Sequence, residues 1–304
     1  NSILWRSDIR YPMTITNHRA RSRQLIKSLF IVCVNILAAI NCFGQEKTVA
    51  NIVLIVDDMG NSLELGQRAI NLPGAINYAF LPYSPHRVSL ANIAFRQRKE
   101  VMLHAPMSNL HSHPVGQGGL TPNMSQQQFL QTLNTNLNSI PHVRGVNNHM
   151  GSLMTQLRQP MGWLMAALKQ QNLYFVDSRT TPLTVAKSTA TKLGLPSLRR
   201  DIFLDNERQH DAIAMQFERL IALAKKTGIA VGIGHPHPET LKYLEKTLPT
   251  LEQRGVKLVL ASQALKPVKC DHKQNHCSSE IAVTKLESKS IKKFFRVSQH
   301  RNHS

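Results

Sequence analysis

From position 51 onward the chain alternates short runs dense in Val, Ile, Leu and Phe with longer stretches whose apolar residues recur at helical spacing. The short runs predict strands over 51–57, 76–81, 100–104, 143–147, 173–177, 197–204, 229–234 and 256–261. Most are apolar throughout, as strands covered on both faces are. The stretches between them predict helices over 62–71, 86–98, 125–139, 160–171, 182–193, 209–227 and 238–254. Their ends carry local signals. Ser125 precedes Gln128 at capping-box spacing, and Pro160 and Pro238 suit a first helical turn. Gly194, Gly228 and Gly255 each close a helical run just before the next strand. Repeated strand–helix units imply a parallel sheet with helices outside. Seven or eight units in about 215 residues match a single α/β barrel over residues 50–265. An open doubly wound sheet is the alternative, but no G-x-G-x-x-G follows the first strand, so a dinucleotide site loses its main support.

The two ends of the chain differ from this body. Arg19, Arg21, Arg23 and Lys27 precede an apolar run, 29–40, broken only by Asn35, and small residues follow before Gln45. At about 12 residues the run is short for a bilayer span, which needs ~20. Residues 13–44 therefore read as a secretory signal, with residues 1–12 upstream of it and an uncleaved membrane anchor as the alternative. An exported, periplasmic protein is expected. Residues 266–304, rich in Lys, Ser and His, read as a flexible basic tail dispensable for fold and activity. Of the net charge of +19, the ends (1–49 and 264–304) supply +11 and the body only +8. A nucleic-acid protein concentrates basic charge on its folded body, so no nucleic-acid partner is expected. Cys33 and Cys42 lie in the apolar run and just after it, and Cys270 and Cys277 in the tail, which leaves no thiolate chemistry to the body. With His272 and His276 the tail cysteines have a zinc-like look, and a disulfide between them is the competing reading.

Polar residues gather where the predicted strands end. Asp57 and Asp58 close the first, His104 the third, and Asn147, Asn148 and His149 the fourth. Asp177 and Arg179 follow the fifth, Asp205 and Asn206 the sixth, and His235 and His237 the seventh. In a parallel barrel these ends face one mouth, where catalytic residues from several strands meet. The residue types suit a divalent metal, zinc by preference, with Asp58, His104 and His149 supplying one carboxylate and two imidazoles. Each has a plainer reading. Asp58 could cap the following helix, and His104 could be a core histidine. His111 and His113, in a Gly- and Pro-containing loop, are substitutes for His104 or simply solvated.

The segments Ile55–Gly60, Val146–Ser152, Phe175–Thr180 and Gly232–His237, with Leu103–Met107 and Phe203–Asn206, resemble the divergent polysaccharide deacetylase family, in the same order over residues 50–265. The resemblance implies a deformed (β/α) barrel, an acetylated polysaccharide as substrate and a metal-dependent attack of water on the acetyl carbonyl. It makes Asp57 the general base and Asp58 a metal ligand. The wider superfamily places a second histidine four residues after the first. Here that position is Leu153, and the Arg-Pro-Pro segment is missing as well, so the second imidazole falls to His104.

On this reading His235 protonates the leaving sugar group and Arg179 helps hold the oxyanion. Asn148, Asp177, Asp205 and His237 contact substrate. A non-catalytic glycan-binding or envelope scaffold protein, with envelope protein partners, is the rival on the same fold. A barrel hydrolase acting on phosphoesters is the third reading.

Overall fold

The computed structural model describes residues 49–265. The expected signal segment, Cys33, Cys42 and the tail with Cys270, His272, His276 and Cys277 lie outside the described residues. Among those described, no helix is long and apolar enough to cross a membrane.

The chain runs β1 (Ala50–Met59), α1 (Leu63–Ile70), β2 (Ile76–Phe80), α2 (Arg87–Arg96), β3 (Glu100–Met107), α3 (Gln126–Asn138), β4 (Val143–Met150), α4 (Arg158–Gln170), β5 (Tyr174–Asp177) and α5 (Ala186–Lys192). It continues through β6 (Ser197–Arg199), β7 (Ile202–Phe203), α6 (His210–Thr227), β8 (Ile229–Gly234), α7 (Pro238–Thr247), β9 (Val256–Leu258) and α8 (Ala261–Ala264). Several elements follow the end signals in the sequence. Ser125 and Gln128 form a reciprocal capping box at the start of α3, Pro238 opens α7, and Gly228 ends α6 at φ 85°.

The strands form one parallel sheet in the order β6-β5-β4-β3-β2-β1-β8-β7, with β9 beside the first residues of β1. The expected strand over 197–204 is split. Its first part pairs with β5 and its second with β8, at opposite edges of the sheet. The partner changes between Arg200, whose N–H donates to the Asp177 carbonyl (2.8 Å), and Asp201, whose N–H donates to that of Val231 (2.9 Å). One short stretch thus serves both edges, and the sheet curls into a deformed barrel.

Alternation along the strands sorts their residues into two apolar layers. Ile52, Leu54 and Val56 pack under the helices, while Val53 and Ile55 join Ala79, Met102, Val176, Val231 and Ile233 on the inner face. The same period carries Asp57 inward after Val53 and Ile55, and His104 inward after Met102. In β4 it groups Gly145, Asn147 and His149. A Cβ at Gly145 would lie 2.2 Å from the Tyr174 ring, so glycine makes room for that ring inside. The Tyr174 hydroxyl donates to Glu100 (2.7 Å), which also accepts from Ser262 N–H (2.9 Å), and α8 is thereby tied to the floor of the barrel.

Asp58 breaks the alternation. It has a left-handed φ of 54°, and the β1–β2 ladder shifts register between Val56 and Met59. A bulge of this kind re-aims a side chain, commonly beside a functional site. It lets neighbouring aspartates reach one cluster instead of opposite faces.

Candidate active site

β1, β3, β4 and β8 bring Asp57, Asp58, His104, His149 and His235 together. Asp58 Oδ1 lies 3.2 Å from His104 Nε2 and 3.0 Å from His149 Nδ1, and those two nitrogens are 3.1 Å apart. Asp57 Oδ2 is 3.7 Å from His104 Nε2, and His235 Nε2 is 4.0 Å from Asp58 Oδ2. β3 and β4 run past the expected strand ends to Met107 and Met150, so His104 and His149 sit on ordered strand and not on loops. The helix after β1 takes its cap from Ser62, whose hydroxyl accepts the Leu65 N–H, so Asp58 is not the capping residue.

A hydrogen-bond chain sets the state of the cluster. Asn147 Nδ2 donates to Asp57 Oδ1 (2.7 Å), which leaves Asn147 Oδ1 to accept from His104 Nδ1 (2.8 Å). The neutral His104 ring therefore carries its hydrogen on Nδ1 and presents a bare Nε2 to Asp58 and His149. Asp58 Oδ1 is buried yet accepts no hydrogen bond in acceptable geometry. A carboxylate oxygen and two imidazole nitrogens thus converge within 3.2 Å of one another, a donor set that suits a cation when both rings are neutral. Their mutual separations approach the ~3.3–3.4 Å expected between ligands of a tetrahedral zinc with ~2.0–2.1 Å bonds.

Charge effects point the same way. Burial pushes the Asp57 carboxyl above its usual range, despite His104, His235 and the Asn147 hydrogen bond. Burial also opposes the charge on Asp58, but the close imidazoles of His104 and His149 hold its carboxyl well below the usual range. Burial would lower His104, yet the charges of Asp57 and Asp58 raise it. The cluster draws positive charge to itself.

His235 is oriented from behind. Its Nδ1 lies 3.0 Å from Asp205 Oδ1, and Asp205 Oδ2 accepts from the His235 N–H (2.7 Å) and from Thr240 Oγ1 (2.8 Å). Burial would lower the imidazole, but the Asp205 hydrogen bond and charge raise it to about 9. Asp205, His235 and His237 form a second compact group of metal-ligand type. The Asp205 oxygens there are already occupied by hydrogen bonds, so the group reads as a support for His235. The His237 ring lies 5.6 Å from that of His235, and burial lowers its pKa.

Other expected site residues are placed differently. Asn148 is only 1% exposed, and its amide is spent on the Met150 carbonyl (2.7 Å) and the Ser178 N–H (2.9 Å). Asp177 is equally buried and accepts from Arg179 N–H and Thr184 Oγ1, both at 2.9 Å. Both are buried and hold the loops around the mouth. Arg179 is exposed at a left-handed φ of 51°, and its guanidinium pairs with none of the cluster among the described residues.

Two contributors had no assigned role in the sequence reading. Asn147 lies two residues before His149, so period-two spacing could have placed it on the same face. Arg200 donates from Nε to the Ser178 carbonyl (2.7 Å) and from Nη2 to that of Arg179 (2.8 Å). It also lies 3.7 Å over the Phe203 ring, which is nearly parallel to His235 at 6.3 Å. No local motif marks Arg200, because its role depends on the strand switching partners beside it.

Fold and site together define an α/β barrel with an aspartate–imidazole centre at its mouth. The chain belongs to the divergent polysaccharide deacetylase family, whose model matches residues 54–265. It is 34% identical over 234 residues to the uncharacterized protein YibQ of Escherichia coli (strain K12), covering 77% of this chain and 73% of that one. It is 35% identical over 232 residues to an uncharacterized protein of Haemophilus influenzae (strain ATCC 51907 / DSM 11121 / KW20 / Rd), covering 75% and 81%. The crystal structure of the uncharacterized protein ATU2773 from Agrobacterium tumefaciens C58 shares the fold, with a TM-score of 0.68 at 21% identity over 70% of this chain and 88% of that one.

Proposed function

We propose that this protein is an exported, metal-dependent hydrolase that removes acetyl groups from an envelope or cell-wall polysaccharide. The observation that carries the reading is the convergence of Asp58 Oδ1, His104 Nε2 and His149 Nδ1 beside the buried Asp57. Asp58, His104 and His149 would hold the metal, and zinc suits a set of one carboxylate and two imidazoles. A metal held there would supply Lewis acidity toward the acetyl carbonyl and a more acidic water.

The protein's own groups divide the remaining work. Asp57, whose proton affinity is raised by burial, takes the proton of the attacking water. Asn147 keeps the Asp57 carboxylate in place and holds His104 in the tautomer with a bare Nε2. His235, kept protonated through neutral pH by Asp205, gives its proton to the departing sugar nitrogen or oxygen. Proton removal and delivery thus fall to two different side chains, Asp57 on β1 and His235 directly after β8.

The test is metal analysis of protein purified without an affinity tag, followed by acetate release from chitin-type and peptidoglycan-type oligosaccharides. About one zinc per chain with zinc-dependent acetate release supports the reading. A protein that takes up no divalent metal is instead the non-catalytic envelope scaffold.

A further inference from the structure

His111 and His113, substitutes for His104 in the sequence reading, are not members of the Asp58 cluster. With Leu110, Met150, Thr181 and Pro182 they line a separate open cleft of about 320 Å³, at the small end of the range for ligand pockets. The cleft lies at the same rim as the candidate centre, because the loops that line it follow β3, β4 and β5, and β3 and β4 carry His104 and His149.

The cleft is built in advance. Asn109 Oδ1 accepts the N–H groups of His111 and His113 (both 3.0 Å), and its Nδ2 donates to the His113 carbonyl (3.0 Å). The loop after β3 is tied to that after β4 by Leu110 N–H to Ser152 Oγ (3.0 Å). The loop after β5 is tied there too, through Thr180 Oγ1 to the Met150 carbonyl (2.8 Å). These bonds use backbone groups and leave the imidazoles of His111 and His113 exposed and free for a ligand. Such fixed walls lower the ordering cost of binding.

The lining names the ligand class. It contains no carboxylate, which argues against a cation. Leu110, Met150 and Pro182 offer an apolar surface, and His111, His113 and Thr181 offer hydrogen-bonding groups around it. A pyranose ring has the matching character, with an apolar C–H face and a hydroxyl edge. An open cleft beside the centre also lets a chain continue through it, whereas a closed pocket would accept only an end.

We propose that this cleft is a subsite for the sugar ring adjoining the acetylated one in a neutral polysaccharide chain. The inference rests on the polysaccharide reading above, and it makes recognition depend on chain length.

The test is calorimetric titration of the full chain with N-acetylglucosamine and with its β-1,4-linked tetramer. Wild-type protein and the His111→Ala/His113→Ala double variant are compared, with Leu110→Asn as a second, independent change. The wild type should bind the tetramer at least about tenfold more tightly than the monomer, the scale of one or two added hydrogen bonds. Each variant should lose most of that preference while monomer binding is unchanged. A wild type without length preference, or variants that keep it in full, would overturn the subsite. Histidine-dependent length preference supports it even without acetate release. Acetate release without such preference overturns it and leaves the catalytic reading standing.

Discussion

Asn147 and His104 are joined by a 2.8 Å contact between the amide Oδ1 and the imidazole Nδ1, and this one bond decides which nitrogen of His104 faces Asp58. The same amide donates to Asp57, so a single side chain sets both the candidate base and one candidate ligand.

Removing that link should loosen the metal without removing a ligand. For Asn147→Ala, zinc affinity is expected to fall about 10–100-fold, the usual effect of losing a partner behind a ligating histidine. Competition with a chromophoric chelator measures it. Unchanged affinity would mean that His104 needs no such orientation.

The pairing of His235 with Asp205 predicts a pH dependence. A proton donor raised to about 9 stays charged through neutral pH, so turnover should persist there and fall as pH rises through about 9. Asp205→Asn removes the negative charge that raises His235. The alkaline fall should then move to lower pH, toward the ordinary histidine value of about 6.5. A pH profile of acetate release from wild type and variant decides it, and an unmoved limb would remove His235 from the donor role.

Packing inside the barrel offers a stability test far from the chemistry. In Gly145→Ala the new methyl would meet the Tyr174 ring, which is anchored by its hydrogen bond to Glu100. Overpacking of this sort costs about 1–3 kcal/mol, to be read from urea unfolding. A smaller loss would mean that the ring shifts freely.

The alternation of apolar runs and helical stretches made the barrel legible, since strands buried on both faces leave little ambiguity. The convergence of Asp58, His104, His149 and His235 was legible for the same reason, because all lie at or near strand ends that share one mouth. Other features depended on geometry that one-dimensional patterns do not carry. The bulge at Asp58 sets its side chain with that of Asp57, against the strand period. Asn148 and Asp177 look like site residues by position, yet they are buried and hold neighbouring backbone groups and, for Asp177, the Thr184 hydroxyl. Arg200 acquires its place only where the chain leaves β5 for β8.

Whether metal and proton transfer are divided between neighbouring aspartates is the central question. Zinc content and acetate release should be measured together on the wild type, Asp58→Asn and Asp57→Asn. Asp58→Asn should lose zinc, since a neutral amide oxygen is a poorer donor than a carboxylate, and with it all activity. Asp57→Asn should keep zinc but release acetate roughly 10²–10⁴-fold more slowly, the usual contribution of a positioned general base. Loss of zinc in Asp57→Asn with retention in Asp58→Asn would reverse the two roles, and unchanged zinc in both would contradict the metal centre itself.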